Sequence, residues 1–131
     1  MQRSDDSPPP FIVIRTPAAI SQHLRVKPYQ RGLELVGVVA EIVEVASARF
    51  YLKDRLDRAA TNLVFALGRA QDGVARIGKW RDYRTAVGHA SDVATLLDIL
   101  EHQRAVAPQL LEKAQRATRD LLADISPLAN G

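Results

Sequence analysis

The sequence predicts an all-α protein, an antiparallel up-and-down four-helix bundle with an irregular N-terminal arm. Three observations carry this reading. Four segments of the 131-residue chain repeat apolar residues at helical spacing. The breaks between them are short, which joins neighbouring helices antiparallel. A composition of 47% hydrophobic and 25% charged residues belongs to a globular chain, and the length suffices for a real core. The expected division is 1–28 for tail and arm and 29–131 for the bundle.

Residues 1–10 have the composition of a mobile tail, polar and ending in Pro8, Pro9 and Pro10. Phe11–Ile14 is a short β-branched apolar run, read either as an edge strand or as an extended arm laid on a neighbour. Pro17 and Pro28 bracket Ala18–Lys27, a candidate short helix. The first long helix is expected from about Tyr29 to Ala48. Its apolar residues, from Leu33 and Leu35 through Val39, Ile42 and Val43 to Ala46, cover more than one stripe. Such a helix needs two burial surfaces, its own bundle and a second subunit.

The second helix is expected from Leu52 to Asp72. Leu52, Leu56, Ala59, Leu63, Ala66 and Ala70 follow the 4-3-4-3-4 spacing of a packed seam. Gly73 fits a C-terminal stop, with Gly78 in the following loop. The third helix is expected from Lys79 to Arg104, with Trp80, Tyr83, Val87, Ala90, Ala94, Leu97 and Leu100 inward. Gly88 in its middle costs about 1 kcal/mol relative to Ala and implies a close helix contact. The fourth helix starts at Ala107-Pro108, with proline in its first turn. Leu110, Ala114, Ala117, Leu121, Ile125 and Leu128 form its expected stripe, and Pro127 and Gly131 end it.

Helices two and three carry a family resemblance. Leu52, Leu56, Arg58, Ala59 and Ala60, with Leu63 and Leu67 as apolar replacements, match the pattern L-x-x-Q-L-x-R-A-A-x-S-I-x-x-N-I-A-E-G. Tyr83, Ala86, Gly88, His89, Asp92 and Val93 keep the spacing of L-x-x-A-x-G-S-x-x-E-L. The chain thus resembles the four-helix-bundle proteins encoded in intervening sequences of bacterial large-subunit rRNA genes. The resemblance covers roughly residues 29–125. It departs at Arg55, Asn62, Ala66, Gly68, Arg69 and Ala70, so the Asn-Ile-Ala-Glu-Gly box is lost. It implies a bacterial source and a homo-oligomer, a pentamer by preference. A related branch, the accessory proteins of diversity-generating retroelements, implies nucleic acid and a reverse transcriptase as partners.

The candidate binding residues come from charge density. Between Arg49 and Arg84, nine basic residues stand against four acids, a larger excess than the +3 of the whole chain. Arg55, Arg58, Arg69, Arg76, Lys79, Arg81 and Arg84 are the expected phosphate contacts for RNA or DNA, with Trp80 and Tyr83 beside them where bases stack. The competing reading pairs Arg55 and Arg58 with Asp54 and Asp57 or with a neighbouring subunit, and puts both aromatics in the core.

Other chemistries find little support. The chain has no cysteine, hence no disulfide and no thiolate metal site. It lacks a Gly-rich phosphate loop and any Glu-x-x-His pair of a di-iron bundle. His89 and Asp92 share a face and are expected to form a hydrogen-bonded pair rather than hold a metal. Asp98 and His102 are expected at the surface, and Asn62 is expected to bond to another helix. Ser47, Thr85 and Ser91 have no base–orienter arrangement. Asp5, Asp6 and the prolines do not resemble a secretory signal, and Glu41 and Glu44 interrupt the longest apolar stretch. The expectation is a cytoplasmic, non-enzymatic oligomeric scaffold with no cofactor and no membrane association, binding RNA or DNA. The alternative is a purely protein-binding or structural oligomer whose N-terminal arm docks on a neighbour.

Overall fold

The computed structural model describes residues 17–72 and 79–130, with side chains described for 27–71 and 79–130. The elements are α1 (Pro17–Val45), α2 (Phe50–Asp72), α3 (Lys79–His102) and α4 (Pro108–Ile125), followed by a 3₁₀ turn at Pro127–Ala129. The four helices form an antiparallel bundle. Each packs against its two neighbours in the cyclic order α1, α2, α3, α4, and the α2–α3 contact is the most extensive. Phe11–Ile14, Gly73 and Gly78 lie outside the described residues.

The core is one continuous apolar cluster. α1 supplies Leu35, Val38, Val39 and Ile42, and α2 supplies Leu56, Leu63 and Leu67 between Ala59, Ala60, Ala66 and Ala70. α3 buries Tyr83, Ala86, Ala90, Val93, Leu96, Leu97 and Leu100. α4 buries Leu111, Ala114, Thr118, Leu121 and Ile125. The inward stripe of α4 is therefore turned from the one expected, since Leu110 and Ala117 are half-buried and Leu128 is exposed. Thr118 explains the offset. Its hydroxyl donates to the Ala114 carbonyl oxygen at 2.7 Å, so a polar side chain sits in the core with its bond made inside its own helix.

α1 differs most from expectation. It starts at Pro17 rather than Tyr29, absorbs Ala18–Lys27, and carries Pro28 inside a continuous helix. Proline has no N–H to return to the Leu24 carbonyl. Pro28 itself is buried and Tyr29 packs on the core, so tertiary packing holds the chain helical through this position. The close helix approach also lies elsewhere than predicted. A Cβ on Gly32 would come within 2.8 Å of Leu67 Cδ1 and 3.4 Å of Val64 Cγ2, whereas a Cβ on Gly88 would meet nothing within 4 Å. Gly32 lets α1 lie against α2, and Gly88 faces outward.

The turns at one end of the bundle are joined to each other. The Ser47 N–H between α1 and α2 donates to the Ala105 carbonyl between α3 and α4 at 2.9 Å, and Lys53 Nζ donates to the Ala46 carbonyl at 3.3 Å. α3 ends in a Schellman arrangement. The Ala105 N–H bonds to the Leu100 carbonyl and the Arg104 N–H to the Glu101 carbonyl, both at 3.0 Å. Arg104 holds the left-handed position of this motif at φ 53°, where glycine is the usual residue.

Two stability outcomes follow from these backbones. Gly32→Val should cost about 1–3 kcal/mol by overpacking against Leu67. Arg104→Gly should be neutral to stabilising, by up to about 1 kcal/mol, because relief of the left-handed strain is offset by a more flexible unfolded chain. Urea unfolding monitored by circular dichroism measures both. A stabilised Gly32→Val would contradict the α1–α2 packing described here.

Candidate nucleic-acid interface

Of the seven cations singled out by charge density, the six among the described residues do not gather at one end of the bundle. α2 and α3 run antiparallel, and Arg69 near the end of α2 meets Asp82 near the start of α3, with Nε and Oδ1 3.7 Å apart. This places Arg69 at the same end of the bundle as Lys79, Arg81 and Arg84. Arg55 and Arg58 belong to the first turns of α2. At 1.5 Å per residue, Arg55 is about 21 Å from Arg69 along the helix. Arg76 lies outside the described residues.

The basic end is organised around Trp80. Its indole is half-buried, and the guanidinium carbons of Arg84 and Arg81 lie 4.5 and 5.3 Å from the ring centroid. These contacts are cation–π interactions, worth about 0.5–1 kcal/mol each at an exposed site, and they hold both charges outward. Arg81 and Arg84 are exposed, Lys79 is half-buried, and Asp82 is the acid within this group. α1 adds a residue that the sequence reading missed. Tyr29 lies beside Gly68, so the exposed Lys27 sits at this same end. Nothing in local sequence links Lys27 to residue 80; only the antiparallel α1–α2 pairing does.

One expectation about the site is corrected, and one ion pair of the competing reading is formed. Tyr83 is buried at 4% exposure in the core and is not a stacking platform. Arg58 is turned toward its own helix, with Nε 3.0 Å from Asp54 Oδ2. Arg55 stays exposed, beside Tyr51 and across from Asp92 and Thr95 in a shallow depression between α2 and α3.

The candidate polar pairs also rearrange. No hydrogen bond joins His89 and Asp92 among the described residues, and Asp92 is exposed. Asn62 points to solvent instead of bonding to another helix. Asp98 and Glu101 both accept from Gln115 Nε2, at 3.4 and 3.2 Å, linking α3 to α4. Among the described residues no group of three or more metal-ligating side chains converges.

A cleft of about 860 Å³ lies at the opposite end, where Val45 and Ser47 face the α3–α4 turn and the start of α4. Its charged lining is mixed, with Glu101 and Glu112 beside Arg104 and Arg119. Ser47 supplies its single hydroxyl, and no histidine lines it. No described helix is long and apolar enough to cross a membrane.

Comparison with known proteins bears on the fold. No protein-family model and no curated protein matches the chain. A solved structure does, that of a protein of unknown function from the S23 ribosomal protein family of Bacteroides thetaiotaomicron. It aligns over 82% of this chain and 99% of that one with a TM-score of 0.67 and 12% identity. At that identity the likeness establishes the shared bundle architecture and nothing finer.

The Arg69–Asp82 pair is partly exposed on both sides. Arg69→Gln should therefore change stability by less than about 1 kcal/mol, as surface ion pairs do. A loss above 2 kcal/mol in urea unfolding would show that the pair holds α2 to α3 rather than merely lying on them.

Proposed function

We propose that this protein is a non-enzymatic, homo-oligomeric helical scaffold that engages nucleic-acid phosphates through the basic end of its bundle. One observation carries the reading. Arg69, Lys79, Arg81 and Arg84 come from two helices to the same end around Trp80, with Asp82 as the opposing charge within the group. Guanidiniums held over an indole present planar donors to phosphate oxygens. Cyclic assembly multiplies the effect, since copies related by a rotation axis along the bundle turn every basic end to one rim.

The rest of the molecule supports a scaffold over a catalyst. Phe50 and Tyr51, adjacent at the start of α2, are exposed at 77% and 62% and offer apolar surface to a second chain. RNA is the first ligand to test, because the structural neighbour belongs to a family named for a ribosomal protein. The retroelement-like association with a reverse transcriptase is a further partner to test by co-purification.

Fluorescence anisotropy of a labelled structured RNA, read across salt concentrations, tests the site. Four phosphate contacts predict a log–log salt slope of about −3 per protomer. R81E/R84E should weaken binding at least a hundredfold, while K113E/R116E, the same charge change on α4, should weaken it by less than tenfold. Equal loss from the two pairs, or no binding by the wild type at low salt, would refute the basic-end site.

A further inference from the structure

We infer that the chain assembles head to tail, with the acidic outer face of α1 from one copy seated on the arginine-bearing groove between α2 and α3 of the next. This rests on the homo-oligomer reading above and assigns its two faces.

The first observation is a pair of glycines without a role inside the chain. Gly37 on α1 and Gly88 on α3 both lie in helix interiors, both are exposed, and a Cβ on either would meet nothing within 4 Å. Each costs about 1 kcal/mol of helix stability relative to alanine. Gly32 has its reason in Leu67; these two have none in the monomer. A flat spot on an outer helix face lets a second helix approach closely.

The second observation is charge. Glu34, Glu41 and Glu44 lie three, four and seven residues from Gly37 and so share its face. All three are exposed, and no lysine or arginine occurs from Gly32 to Val45. Gly88 lies level with Thr61 and Asn62 of α2, by the register that brings Arg69 to Asp82 and Arg55 to Asp92. This groove is flanked by Arg55 and Arg58 on α2, with Asp92 across from Arg55 and Asp54 paired to Arg58, and it opens toward the basic end. Glutamates on one face and arginines around the other attract copies in this pairing and oppose like faces meeting, because α1 on α1 would juxtapose its glutamates.

Apolar surface completes the match. Leu33, 42% exposed, and Ala40 flank Gly37, while Phe65, 63% exposed, stands at the rim of the Gly88 groove. The two faces occupy different sides of one chain, so each copy uses both at once. Such a heterologous contact closes into a ring or extends as a filament. Arg55 and Arg58, far from the basic end, thereby become interface residues.

Size-exclusion chromatography with light scattering, run with circular dichroism on the full chain, tests this. Wild type should be oligomeric. G37L and G88L should keep or raise helicity, since neither meets a neighbour in the monomer, yet weaken association at least tenfold. E41R/E44R and R55E/R58E should each weaken assembly, and the four changes together should restore it by exchanging the charges. Wild-type-like assembly of G37L and G88L, or a fourfold variant no better than its parents, would overturn the assignment while leaving an oligomer by another surface. A wild type that stays monomeric at every concentration would overturn both the assignment and the oligomer reading beneath it.

Discussion

The alternation of leucine and alanine along α2 is the constraint on which the other helices depend. Its buried positions divide between Leu52, Leu56, Leu63 and Leu67 and the alanines at 59, 60, 66 and 70. The size of side chains at a contact sets how near two helix axes lie. Alanines bring the neighbours in, and leucines fill the space that remains. α1 and α3 flank this helix, and Gly32 extends the same economy of volume onto α1. The meeting of Arg69 with Asp82, and the gathering of charge around Trp80, are consequences of how close α3 runs.

Much of this was legible in the sequence where one physical rule acted alone. The α2 seam follows from spacing, and the four-helix count from stripes and short breaks. Reading failed where a tertiary contact overrode a local rule. Pro28 looked like a helix boundary because proline forfeits a hydrogen bond, yet burial at that point keeps the helix continuous. Thr118 falls outside an apolar stripe because it is polar, although its hydroxyl is satisfied within one turn. Gly88 and Gly32 are both mid-helix glycines, and only the packing of Leu67 tells the crowded one from the open one.

The candidate site shows a different limit. Charge density along a sequence counts residues without knowing where the chain reverses. The α2–α3 reversal brings residues 69 and 82 together while leaving 55 and 69 far apart on a straight helix. It also sends adjacent aromatics to different fates, with Trp80 at the rim under two guanidiniums and Tyr83 in the core. Lys27 was invisible as a member of the basic end because its link to it is topological. What the sequence conveyed was the sign of the charge and the helices bearing it.

The axial separation of the arginines has a consequence for how the surface responds to its medium. At physiological ionic strength the Debye length is about 8 Å, well under the roughly 21 Å that 14 residues of helix put between Arg55 and Arg69. The two groups are therefore electrically independent in a cell, each sensing its own neighbours and not the other. Dilute buffer lengthens the screening distance toward about 30 Å at 0.01 M, and the whole flank then acts as a single cationic strip. The same molecule thus presents one broad attractor in weak salt and two separate contact points in strong salt, and its net charge of +3 describes neither state.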